Sequence, residues 1–330
     1  MSMNAIKSAQ PIDNLYAVSI SNLVTKQLEE KLNVRCSTLG STGKKPDSAM
    51  SGDIDIGIEM EMTPENVEKL KDFLMKYFKH NMTDTPEFRE LPGLNILSVG
   101  FHYEFGIMRI PKVVQIDFMF TDNLEYTKFV FHSPNYRKKE SNFKGLYRTN
   151  LLAHIIDIIK REKDPLYDID GNCTDYWKYT LSFVKGLKLT HKCFISPKTG
   201  KLLKNPYTVK EDDVIISKNP EEIITFLFGD KVTVKDFNSF ESIIDFLFSD
   251  RFIHSKITVR EIIMNFINDT RHEEKREELI KYITNVLMKT FSKDMGTDVL
   301  DTLLLVYIKD DVHEIMRRTA EETKAMFANK

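Results

Sequence analysis

The chain has 330 residues, 42% hydrophobic and 29% charged, with a formal net charge of −2. That length suits two domains that each bury a core, and that charge excludes a uniformly basic nucleic-acid binder while permitting a local basic surface. The apolar runs are too short to span a bilayer and the N-terminus lacks a signal-type apolar core, so the expected setting is cytoplasmic with no membrane partner.

Residues 14–32 carry Leu15, Val18, Ile20, Leu23, Leu28 and Leu32 among polar neighbours, a helical pattern. Residues 34–39 read as a strand ending at Gly40, and 41–52 as an open loop containing glycine, lysine, proline and serine. From Asp53 the alternation is clean. Asp53, Asp55, Gly57, Glu59 and Glu61 fall on one side, and Ile54, Ile56, Ile58, Met60 and Met62 on the other, as in a strand with one face on a core. Thr63-Pro64-Glu65 then opens a helix with threonine as N-cap, running to about Phe78 and burying Val67, Leu70, Phe73, Leu74 and Tyr77. Strands are expected at 95–103, 105–110 and 113–120. In the last, Val114, Ile116, Phe118 and Phe120 face inward, while Gln115 and Asp117 share the outward face.

Beyond residue 140 the pattern turns mainly helical, with helices at 143–160 and 175–189 and a lysine-rich irregular or hairpin-like segment at 192–217. Two stretches then resemble each other: 223–230 matches 243–250, and 231–237 matches 256–262. Thr233-x-x-Asp236 and Thr258-x-x-Glu261 each have the spacing of a capping box. Residues from 298 onward read as one amphipathic helix or a pair.

Chemistry concentrates at Gly40-Ser41, followed twelve positions past the serine by Asp53-Ile54-Asp55, with Asp117 in a later strand. Side chains at i and i+2 of a strand point the same way, so Asp53 and Asp55 can act together. This pattern over roughly residues 15–125 resembles the DNA polymerase β-like nucleotidyltransferase superfamily. Gly40 and Ser41 match its glycine-serine motif, Asp53 and Asp55 its paired acids, and Asp117 its third acid.

The resemblance implies an α/β fold, a nucleotidyltransferase-type mixed sheet with flanking helices over residues 1–140. A mainly helical substrate-binding or interaction domain follows over 141–330. It implies two Mg²⁺ or Mn²⁺ ions on Asp53, Asp55 and Asp117, an NTP substrate such as ATP, and transfer of an NMP to an acceptor hydroxyl. Gly40 would let the backbone approach the triphosphate, and Ser41 would donate to a phosphate oxygen. A lysine in the following domain would meet the triphosphate. Lys185 is the first match, with Lys144 and Arg148, one helical turn apart, as the second option.

Other motifs weaken on inspection. Gly40-Ser-Thr-Gly43-Lys44-Lys45 has its glycines too close for a P-loop, with Lys45 where Ser or Thr belongs. Asp168-Ile-Asp170 lacks an upstream Gly-Ser and the closing glutamate of a calcium loop, so it reads as a polar turn. Asp122 is an alternative third acid, and Glu59 and Glu61 are solvated or supporting groups. The eight histidines form no ligand pair at useful spacing. Cys36, Cys173 and Cys193 are odd in number and far apart, which suits reduced thiols.

Lysines from Lys178 to Lys210 interleave with Trp177, Tyr179, Phe183, Phe194 and Tyr207, a composition that suits RNA but also an ordinary solvated face. An RNA 3′ end, such as that of tRNA, is the acceptor expected first. A protein side chain, a small molecule or a second nucleotide are alternatives within the same chemistry. A non-catalytic nucleotide- or RNA-binding or partner-blocking protein is the alternative of another class. Abundant Lys, Ile, Phe and Asn with sparse Ala, Gly and Pro fit an AT-rich bacterial or bacteriophage gene.

Overall fold

The computed structural model describes residues 5–42, 48–78, 87–105, 110–131, 143, 145–160, 163–269 and 276–291. The chain is mixed α/β and divides into two compact units. The first holds the residues up to Leu146 together with Ser182–Gly186 and Lys218–Pro220, and the second holds the remainder.

The first unit is built on a five-stranded mixed sheet, the type of sheet the nucleotidyltransferase resemblance implies. Its strands are β2 (Cys36–Thr38), β4 (Asp53–Glu59), β5 (Phe88–Leu91), β6 (Ile96–Phe105) and β7 (Ile110–Thr121), in the order β2-β4-β7-β6-β5. β4 and β7 run parallel and the other neighbours antiparallel. A two-stranded pair, β1 (Ile12–Asp13) and β3 (Met50–Ser51), stands apart from it. Ile54, Ile56 and Ile58 of β4 and Val114, Ile116 and Phe118 of β7 are fully buried, as the alternation requires. They share a core with α1 (Asn14–Leu32) and α2 (Pro64–Tyr77).

Thr63 caps α2 by accepting the Asn66 N–H at 3.2 Å, and Val67, Leu70, Phe73 and Leu74 are buried as expected. Tyr77, expected in the core, is 42% exposed at the helix end. In α1 the buried stripe is Ala17, Ile20, Ser21, Val24 and Leu28, while Leu15 and Leu23 stay about half exposed. The small residues Ala17 and Ser21 share that stripe with Ile20, Val24 and Leu28, and the Ser21 hydroxyl hydrogen-bonds that of Thr38 on β2. At the far end of β4, α3 (Leu124–Phe131) crosses close. A Cβ on Gly57 would come within 2.9 Å of Leu124 Cδ1.

The second unit starts at Tyr147, within α4 (Gly145–Ile159), which lies inside the predicted 143–160 helix. An antiparallel sheet follows, of β8 (Lys163–Tyr167), β9 (Cys173–Ser182), β10 (Gly186–Ile195) and β11 (Leu202–Ser217), in the order β11-β10-β9-β8. The helix expected over 175–189 is therefore a β-hairpin. Thr174, Tyr176, Trp177, Tyr179 and Thr180 prefer a pleated surface to a helix. The Ser182 hydroxyl accepts the N–H groups of Val184 and Lys185, and Gly186 turns the chain at φ +84°.

Helices α5 (Pro220–Phe228), α6 (Phe240–Leu247), α7 (Lys256–Asn268) and α8 (Arg276–Phe291) complete the described part. The segment beyond residue 298 lies outside the described residues. Of the two expected capping boxes, the first is present. The Asp236 carboxylate accepts from the Thr233 N–H at 2.9 Å, opening a short 3-10 turn. In the second copy Ser255 is the N-cap of α7 and Thr258 sits inside the first turn, giving its N–H to the Ser255 hydroxyl.

Arg251 also binds both Asp236 oxygens, and this hydrogen bonding holds the Asp236 carboxyl down at about 2. A depressed carboxylate stabilises the fold above its unfolded value near 4, and the contribution is lost as pH falls toward 2. Arg251→Ala should therefore lower the melting temperature more at pH 7 than near pH 2, where only its bond to the Lys231 carbonyl and its contact with Phe246 are lost. With Arg251 half exposed, solvent screening keeps the effect small. Thermal melts of both proteins across that range check it.

Candidate metal and nucleotide site

The parallel register of β4 and β7 sets Asp53 beside Gln115 and Asp55 beside Asp117. Because side chains alternate along each strand, all three aspartates emerge on the face opposite the isoleucine core. One carboxylate oxygen from each of Asp53, Asp55 and Asp117 lies within 4.8 Å of the others, close enough to share a metal ion. Among the described residues no other group of acids, histidines or cysteines converges in this way.

Asp117, expected on the outward face of its strand, is only 5% exposed. β7 lies between β4 and β6, and the register places Ser98 of β6 directly opposite Asp117. Burial pushes the Asp117 carboxyl above its usual range, and the Asp53 charge adds to this. Nearby Ser98 and the amide of Gln115 act in the opposite direction. Gln115 donates to both Asp117 oxygens, at 2.9 and 3.1 Å. The alternation of β7 places Gln115 on the same face as Asp117, but nothing local in the sequence gives it a role.

Gly40 has φ +61°, in the left-handed region, where L side chains are strained. A Cβ there would lie 1.9 Å from Asp55 Oδ2. The glycine expected to admit a phosphate thus also makes room for one of the acids. The Leu39 N–H donates to the Asp55 carbonyl at 2.8 Å, fixing the approach of this turn to β4. Ser41 follows in the same turn, partly exposed, and Lys44 and Lys45 lie outside the described residues.

The competing acids have other partners. Asp122 is held by the Lys218 ammonium, and Glu59 by both arms of Arg35, whose hydrogen bonds pull the Glu59 carboxyl down. Asp168 accepts from the N–H groups of Asp170 and Asn172, the polar turn expected there. Hydrogen bonds from Asn172 are the main reason its carboxyl is depressed.

The candidate phosphate-binding cations separate sharply. Lys185 does not lie on a helix, as the resemblance had suggested, but at the exposed turn between β9 and β10. Tyr126 of α3 donates its hydroxyl to Ser182 at the start of that turn. Arg148 is 3% exposed and gives Nη1 to the Phe237 carbonyl at 2.9 Å, so its guanidinium belongs to the interior of the second unit. That placement corrects its reading as a triphosphate contact. Lys144 lies outside the described residues.

Within the basic segment, Lys178 pairs with Asp157, Lys188 pairs with Asp213, and Trp177 stacks on His191. Lys198, Lys201, Lys204 and Lys210 stay exposed.

Among the described residues no helix is long and apolar enough to cross a membrane. No protein-family model matches the chain, and no curated protein matches it. Crystal structures of Leishmania infantum polymerase beta are similar to it at a TM-score of 0.37 and 12% identity. In the ternary P/T complex the match covers 69% of this chain and 77% of that one, and in the ternary gap complex 69% and 70%. At that TM-score the likeness lends no weight to a functional reading, which rests on the chain's own residues.

Proposed function

We propose that this protein is a metal-dependent nucleotidyltransferase that moves an NMP from an NTP to an acceptor hydroxyl. The convergence of Asp53, Asp55 and Asp117 within 4.8 Å carries the reading. Residues 1–140 form the catalytic domain and 141–330 the substrate-binding or interaction domain. Carboxylates are the ligands Mg²⁺ and Mn²⁺ favour, and three of them leave positions for water and phosphate oxygens. A bound pair of such ions supplies charge stabilisation at the attacking and leaving oxygens of an in-line displacement.

Asp53 and Asp55 would hold the ions. Asp117 would complete the ligand set toward the acceptor and help orient its incoming hydroxyl. The Gly40-Ser41 turn seats the triphosphate, with Ser41 donating to a phosphate oxygen. Of the three cations, Lys185 is described and exposed, and it is retained for the triphosphate. An RNA 3′ end is the acceptor. Its support is the exposed set Lys198, Lys201, Lys204 and Lys210, since Lys178 and Lys188 already face carboxylates.

The test is transfer of label from α-labelled ATP, CTP, GTP and UTP, with Mg²⁺ or Mn²⁺, into total RNA and protein. Label entering RNA with the native protein and not with Asp53→Ala/Asp55→Ala is the expected result. Label in protein or a small product would keep the chemistry and replace the acceptor. No incorporation with any nucleotide and either metal would overturn the reading.

A further inference from the structure

We infer that Gln115 is a positioning residue for Asp117, with the backbone N–H of Ile6 as the clamp behind it. The inference rests on the reading of the three aspartates as metal ligands. A carboxylate 5% exposed in a central strand has lost most of its water, so its orientation and charge depend on the donors around it. Gln115 supplies a side-chain donor, reaching both oxygens from two residues away on the same face. Ser98, opposite in the register, is buried, and its hydroxyl makes no hydrogen bond of standard geometry.

The Gln115 amide has only one workable orientation. Its Oε1 accepts the Ile6 N–H at 3.0 Å, a role an NH₂ group cannot fill, so Nε2 must face Asp117. Gln115 is itself 2% exposed and Ile6 1%, which prevents water from substituting for either partner. The N-terminal segment is held there independently, by Gln10 N–H to the Val113 carbonyl at 2.7 Å and a parallel bridge between Ala9 and Val113.

Gly100 of β6, paired with Gln115, leaves the space Ile6 occupies. A Cβ there would lie 3.1 Å from Ile6 Cγ2. The chain Ile6–Gln115–Asp117 therefore fixes the third acid from behind. Glutamate at 115 would add a charge next to three others, and an apolar residue would leave the buried carboxylate without this donor.

The test measures Mn²⁺ affinity in the absence of nucleotide, by electron paramagnetic resonance. The proteins are wild type, Gln115→Met, Asp117→Asn and the double variant, each also melted in EDTA. Gln115→Met should weaken Mn²⁺ binding by about tenfold or more, the scale of lost support behind a metal ligand, with the metal-free melt within a few degrees of wild type. In the Asp117→Asn background the same change should alter affinity by less than about twofold, because the residue acts through Asp117.

Unchanged affinity in Gln115→Met would overturn the inference, as would an equal loss in both backgrounds. If Gln115→Met does not fold, Gln115→Asn, which withdraws the amide by one methylene, takes its place in the same cycle. Wild-type protein with no saturable Mn²⁺ binding would instead overturn the metal-site reading, and the inference with it.

Discussion

Asp53→Asn should reduce metal-dependent nucleotidyl transfer by on the order of 10³-fold, the scale of losing one preorganised electrostatic group at a transition state. The amide keeps the size and shape of the side chain but removes a charge and a metal-binding oxygen. Asp53 is partly exposed at the start of β4, and its backbone stays paired with Gln115, so the strand has no reason to move. The metal-free variant should melt at or slightly above the wild-type temperature, since one of three crowded charges is gone. Stabilisation by Mn²⁺, clear for the native protein, should largely disappear. Single-turnover transfer and paired melts in EDTA and Mn²⁺ measure these effects. Activity within tenfold of wild type would remove Asp53 from the chemistry.

Gly40→Ala should be nearly as damaging, for a steric reason. The added methyl would sit 1.9 Å from Asp55 Oδ2, so the carboxylate must rotate away or the turn must shift. The left-handed backbone at φ +61° adds about 1–2 kcal/mol for any L side chain. A reacting group displaced by about 1 Å costs roughly 10²-fold in rate, and that loss is expected here. Gly52 is the control. It immediately precedes Asp53, and a Cβ there meets nothing within 4 Å. Gly52→Ala should stay within about 0.5 kcal/mol of wild type and retain activity. Equal behaviour of the two variants in denaturant melts and transfer assays would refute the packing argument.

The acid-bearing strands were legible because one face of each is wholly apolar and the period of two is unbroken. What escaped was information that only tertiary neighbours supply. The buried stripe of α1 runs through Ala17 and Ser21, small residues that carry little hydropathy signal, while the more apolar Leu15 and Leu23 face outward. Over 175–189 the aromatic spacing fits a helix, but threonine and aromatic content together with Gly186 favour the hairpin that forms. Gln115 was visible on the right face. Its importance depends on Ile6, 109 residues away in the chain, which no local pattern can reveal.

The parallel pairing of β4 with β7 has a kinetic consequence. Parallel neighbours cannot be joined by a tight turn, and here the crossover contains α2, β5 and β6. Until β7 docks, only the local pair Asp53 and Asp55 is in place; the third acid arrives with one of the longest-range contacts in the sheet. Such non-local pairing is the slow part of folding. A divalent ion held by the three acids would therefore favour the finished sheet over any precursor, slowing unfolding more than it speeds folding.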